Sequence, residues 1–117
     1  MNIETLREYC ISKKGVTESF PFGEDTLVFK VGEKIFLLTG LENPTTFNVK
    51  CDPEKAIALR EEFSEVIPGY HMNKKHWNTV YYDGSLSEHH LKEFIDHSYQ
   101  LIFKSLSKIA QQEILNS

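Results

Sequence analysis

Between Tyr70 and Tyr82 the chain collects residue types that bind polyanions. Lys74 and Lys75 can neutralise phosphates, and Asn73 and Asn78 can contact backbone or base edges. His71 and His76 add imidazoles. Trp77 and three tyrosines supply rings on which unpaired bases can stack. No acidic residue interrupts the segment, and residues 66–82 sum to +2 between two stretches, 52–65 and 83–96, that each sum to −3. Lys30, Lys34 and Lys50 would enlarge the patch if strand pairing brought them alongside, and of these Lys50 is kept in the candidate set. Two lysines alone would give a shallow salt dependence, log K falling by about 2 units per decade of salt. A plainer reading competes, in which the aromatics fill the core and the lysines form a solvated turn. Period-two alternation puts Trp77, Thr79 and Tyr81 on one face and Asn78, Val80 and Tyr82 on the other, and one face must be core.

Other chemistries have weaker footing. His89, Glu93 and His97 share a helical face at i, i+4 and i+8, but the outer two are about 12 Å apart along the axis, too far to share one ion. Cys51 could act as a nucleophile only if His71 or His76 came to it in the fold, and a thiol at a strand end is expected to be buried. Neither a phosphate-binding loop nor a dinucleotide fingerprint is present. Glu4 and Glu8 are opposed by Arg7, Lys13 and Lys14, so the carboxylate ridge that hard cations require is missing. The expectation is a binding protein and not an enzyme, with no catalytic residue, no metal and no cofactor.

Composition bounds the rest. The chain has 117 residues, 40% hydrophobic and 26% charged, which predicts one globular domain over residues 1–117. The formal net charge is −4 and the pI about 5.7, which counts against a dedicated nucleic-acid binder, usually basic. Two cysteines without C-x-x-C spacing read as reduced, buried thiols, with a single disulfide as the alternative. With no leader-like N-terminus and no apolar run near 18 residues, a cytoplasmic protein without membrane attachment is expected.

The elements that must position these residues follow from periodicity and caps. Asn2 caps a first helix whose stripe is Ile3, Leu6, Tyr9 and Cys10; Lys13 and Lys14 suit its end, and Gly15 stops it. Phe20–Gly23 is an aromatic turn. Strands follow at 26–31 and 34–39, joined by Gly32-Glu33 as a hairpin turn, and at 45–50 with Phe47 and Val49 on one face. Asp52-Pro53 starts a second helix to about Phe63, burying Ala56, Ile57, the stem of Arg60 and Phe63. Pro68-Gly69 breaks the chain, 77–82 is a strand, and Ser87 caps a long helix with the stripe Leu91, Phe94, Ile95, Ser98, Leu101, Ile102 and Leu106, extended toward Ile109 and Ile114. The order α-β(3)-α-β(1–2)-α implies an α+β fold, a two-layer arrangement of an antiparallel sheet with helices on one face.

The run Pro68-Gly69-Tyr70-His71-Met72-Asn73-Lys74-Lys75-His76-Trp77-Asn78-Thr79-Val80 resembles the MmcQ/YjbR family of small bacterial proteins. Phe20-Pro21-Phe22-Gly23, the strand Leu27–Val31, and Asn48-Val49-Lys50-Cys51-Asp52-Pro53 support the resemblance, which covers nearly the whole chain. It implies a fold similar to that of frataxin/CyaY and of type III secretion chaperones. It also implies DNA binding through two projecting hairpins in a double-wing arrangement, here around residues 70–82. The alternative it raises is a protein-interaction module similar to the secretion chaperones. The oligomeric state is left open, with a monomer as the default.

Overall fold

The computed structural model describes residues 1–70 and 72–117; His71, one of the expected site residues, lies outside them. Helix α1 (Ile3–Ile11) opens with a reciprocal cap in which Asn2 Oδ1 accepts the Thr5 N–H and Thr5 Oγ1 accepts the Asn2 N–H, both at 2.9 Å. It ends at Ile11, before Lys13 and Lys14. Gly15, at φ +73°, then turns the chain into an edge strand, β1 (Val16–Ser19), which the sequence reading did not contain.

Strands β2 (Thr26–Val31) and β3 (Lys34–Gly40) form the expected hairpin. Gly32 and Glu33 both have positive φ, +57° and +69°, the requirement of a tight turn whose twist matches the strands. Strand β4 (Thr46–Lys50) leads into α2 (Pro53–Glu62), where Asp52 accepts the Lys55 N–H at 3.3 Å. Strand β5 (Val66–Pro68) brings the one or two strands expected after α2 to two, pairing with β6 (Trp77–Tyr81) across the loop 69–76. Helix α3 (Glu88–Ser105) stops at Leu106, and α4 (Lys108–Leu115) is a separate helix. The continuous stripe expected toward Ile109 is therefore corrected. Leu106 adopts an extended conformation and lies against Gly32, and Ser107 starts α4 by accepting the Ala110 N–H.

All pairings are antiparallel, in the order β1-β2-β3-β4-β6-β5, with the two shortest strands at the edges. The helices cover one face. Leu27, Phe29, Leu37, Phe47, Val49, Val66 and Val80 meet Leu6, Leu91, Phe94, Ile95 and Ile102 there in one apolar core. The pairing register shifts between Phe29 and Lys30, so that consecutive Phe36 and Leu37 both enter the core. Ser98 of α3 repairs the ladder at that irregularity: its Oγ donates to the Phe36 carbonyl and accepts the Lys50 N–H at 2.9 Å. Ile57, expected inside, is 55% exposed, because α2 touches the sheet mainly through Ala56 and Leu59. Cys10 and Cys51 are free and buried.

Candidate nucleic-acid interface

The loop 69–76 is held from within and from α2. Gly69 N–H donates to the Trp77 carbonyl at 2.8 Å, and the Asn73 carbonyl accepts the N–H groups of His76 and Trp77 at 3.2 and 3.0 Å. Asn73 Oδ1 accepts the Lys75 N–H at 2.9 Å, a side-chain-closed turn. Arg60 reaches across from α2. Its Nε donates to Asn78 Oδ1 at 2.7 Å, and its Nη2 donates to the carbonyls of Trp77, at 3.2 Å, and Lys74. Gly69 is confined by this packing: a Cβ there would stand 2.8 Å from Trp77 Cβ and 2.9 Å from its carbonyl oxygen.

These contacts divide the expected site residues. Asn78 is 1% exposed and lies on the helix side with Val80 and Tyr82, so its place as a ligand contact is corrected; its amide serves Arg60. Asn73 shapes the loop. Lys74 and Lys75 are exposed at the tip, while His76 and Trp77 are half-buried, and the His76 carbonyl accepts the Cys51 N–H at 2.8 Å. Lys50 is the cross-strand partner of Trp77, so the two share the helix-free face. Lys30, paired with Ile35, is on that face too. Lys34 is not, because its Nζ donates to Ser105 Oγ of α3 at 3.3 Å. Among the described residues, no ion pair engages Lys30, Lys50, Lys74 or Lys75. The strand ends opposite these lysines lead to Glu24, Asp25, Glu42 and Asp83.

The helix-free face also holds a feature that sequence reasoning missed. A groove of about 790 Å³ runs over it, lined among others by Phe22, Leu38, Asn48, Tyr70, Met72 and Tyr81. Its floor carries a short polar chain: Tyr70 N–H donates to Thr79 Oγ1 at 2.9 Å, and the Thr79 hydroxyl donates to Asn48 Oδ1. The exposed phenylalanine of the aromatic turn was the available signal, but its partners lie on distant strands.

The competing chemistries come apart. His89 Nε2 meets Glu93 Oε1 at 2.6 Å on an exposed helix face. His97 turns the other way, its Nε2 accepting the Asp52 N–H at 3.2 Å at the start of α2. Burial, and then Lys55, lower the His97 pKa below 6.5. His97, and not His76, lies with Cys51 around a void of about 10 Å³, and His71 is outside the described residues. Burial pushes the Cys51 thiol up to about 11, which leaves almost no thiolate to act as a nucleophile near neutral pH. Among the described residues, no three His, Cys, Asp or Glu side chains are grouped to hold a metal, and no helix is long and apolar enough to cross a membrane.

Comparison with known proteins places this architecture. The YjbR family model matches residues 11–101. The Escherichia coli O157:H7 protein YbdF is 37% identical over 112 residues, covering 95% of this chain and 92% of YbdF. The YjbR protein of E. coli K12 is 38% identical over 101 residues, 86% of each chain. The crystal structure of Deinococcus radiodurans DR2400, from domain family DUF419, superposes with a TM-score of 0.90 at 37% identity, covering 97% of this chain and 87% of that one. A Pseudomonas syringae crystal structure superposes at 0.74 with 27% identity, covering 87% and 99%. With the six-stranded antiparallel sheet, the helices on one face and the Pro68–Val80 run all in place, the chain belongs to the YjbR family.

Proposed function

We propose that this chain is a non-catalytic nucleic-acid-binding domain that meets phosphates with Lys50, Lys74 and Lys75 beside Trp77. The observation that carries the reading is the pairing of Lys50 with Trp77 at the end of the helix-free face where the loop 69–76 presents Lys74 and Lys75. Lys30 adds a fourth cation to that face. The net charge of −4 is carried at both ends of the sheet, with Glu24, Asp25, Glu42 and Asp83 beyond the far strand ends and Glu33 and Asp52 near Lys30 and Lys50, so the reading rests on the local lysine cluster and not on the total. A local cluster of lysines of this kind attracts an approaching polyanion. Three phosphate contacts correspond to log K falling by about 3 units per decade of salt.

The test is a titration with duplex and single-stranded DNA at low and near-physiological salt, followed by the fluorescence of Trp77, the single tryptophan. Lys74→Glu/Lys75→Glu is expected to abolish a saturable, salt-sensitive change. Unaltered affinity in that variant, or a flat signal matched by a labelled-DNA probe, would remove the reading.

A further inference from the structure

We infer that the groove on the helix-free face takes unpaired nucleobases, so that the nucleic acid held by this chain is single-stranded. The inference rests on the proposed function and goes beyond it by naming the form of the ligand and the residues that touch its bases.

The distribution of exposed rings is the first argument. The large exposed aromatics are Phe20, Phe22, Tyr70 and Tyr81, and the last three line the groove at 67%, 67% and 39% exposure. The other large exposed apolar side chains, Ile11, Ile57, Ile109 and Leu115, are aliphatic and belong to the helices. Rings standing in water around one concavity form a stacking platform, and a groove of this size suits a small planar group.

Charge placement is the second. Among the described residues, no charged side chain lines the groove. Cations stand outside it: Lys30 and Lys50 on the same face, and Lys74 and Lys75 in the loop that also supplies Tyr70 and Met72. An uncharged, aromatic interior with cations outside matches a strand whose bases turn inward and whose phosphates stay at the rim. A duplex keeps its base faces inside the stack, where these rings cannot reach them.

The floor supplies the third. Thr79 Oγ1 accepts from Tyr70 N–H, so its own hydrogen goes to Asn48 Oδ1. The carbonyl end of Asn48 is thereby used, and its NH₂ has no hydrogen-bond partner among the described residues. Asn48 therefore offers only donors to the groove. Thymine meets these donors with two carbonyl oxygens, whereas adenine offers only ring nitrogens as acceptors and its exocyclic amine, itself a donor, meets the Asn48 NH₂ unfavourably.

The experiment measures binding of labelled oligothymidylate, oligoadenylate and a duplex to the wild-type chain and three variants. Oligothymidylate is expected to bind at least ~10-fold tighter than the duplex, since each stacked base contributes that order of affinity. Phe22→Ala/Tyr81→Ala changes exposed side chains and is expected to erase that preference while leaving duplex affinity in place. Asn48→Asp keeps the acceptor for Thr79 but removes the free donors, and is expected to narrow the gap between oligothymidylate and oligoadenylate. Lys74→Glu/Lys75→Glu is expected to weaken all three ligands together. Equal binding of strand and duplex, dependent on the lysines and indifferent to Phe22 and Tyr81, overturns the inference and leaves the proposed function standing. Binding of none of the three overturns both. Self-association in sedimentation that Phe22→Ala/Tyr81→Ala abolishes, without nucleic-acid binding, makes the groove a protein contact and likewise overturns both.

Discussion

On the helix side of the sheet Phe29, Phe36 and Phe47 are fully buried, whereas on the other side Phe22, Tyr70 and Tyr81 ring an open groove. Aromatic residues thus serve both faces, and what separates them is the covering layer. Helix α3 closes the first face with Leu91, Phe94, Ile95 and Ile102, whereas among the described residues no helix covers the second, where Val28 and Thr79 are buried but the groove stays open. The helices of the covering layer are also tied to one another: Tyr9 Oη of α1 donates to Asp96 of α3 at 2.6 Å, Lys13 pairs with the same carboxylate, and Tyr99 Oη of α3 donates to the Lys14 carbonyl at 2.6 Å. Apolar surface on the covered face stabilises the fold, while the same chemistry left uncovered on the other face is available to a ligand.

The sharpest way to break this contrast is to remove one ring from each face. Phe36→Ala should cost about 3–5 kcal/mol of stability by leaving a cavity, and Phe22→Ala no more than about 0.5 kcal/mol. Urea unfolding of the two variants measures both, and similar midpoints would show that the faces are not energetically distinct. A smaller effect is expected where the faces meet. Asn78→Ala strips Arg60 Nε of its acceptor, which should cost about 1–3 kcal/mol and shift Trp77 emission as the loop 69–76 loosens. Emission and stability both matching wild type would mean that Arg60 does not hold the loop. The smallest effect is a pH dependence confined to the covered face. His97 has its folded pKa lowered, so the unfolded chain binds the extra proton first. Its contribution is complete above pH 6.5 and is lost as pH falls through the lowered folded value. His97→Gln should flatten that part of a stability–pH profile, and an unchanged slope would assign it to other groups.

How much was legible in the sequence follows the same division. The β2–β3 hairpin, α2 and α3 were readable because each carries a local signal: Gly32 between apolar runs, Asp52-Pro53, and a 3.6-residue stripe. Strands β1 and β5 were not. β1 has one apolar residue, Val16, and β5 ends in Pro68, which reads as a break although proline is tolerated on an edge. Lys74 and Lys75 were recognisable as exposed cations from the tip of a turn. Alternation placed Asn78 opposite Trp77, but only the pairing of β6 with β4 decides which of the two faces the helices. The groove was out of reach, since Phe22, Asn48 and Tyr81 converge through pairings between separate strands and no local pattern joins them.

The edge strands carry a consequence of their own. β1 spans four residues and β5 three, the latter closed by Pro68, which has no N–H to offer. A foreign strand laid along either side would find only a few backbone groups to pair with before the register ran out. The sheet is therefore finished sideways while open from above. A guest must arrive broadside, through its side groups, and the apolar face can stay uncovered without seeding the stacked ribbons by which sheets aggregate.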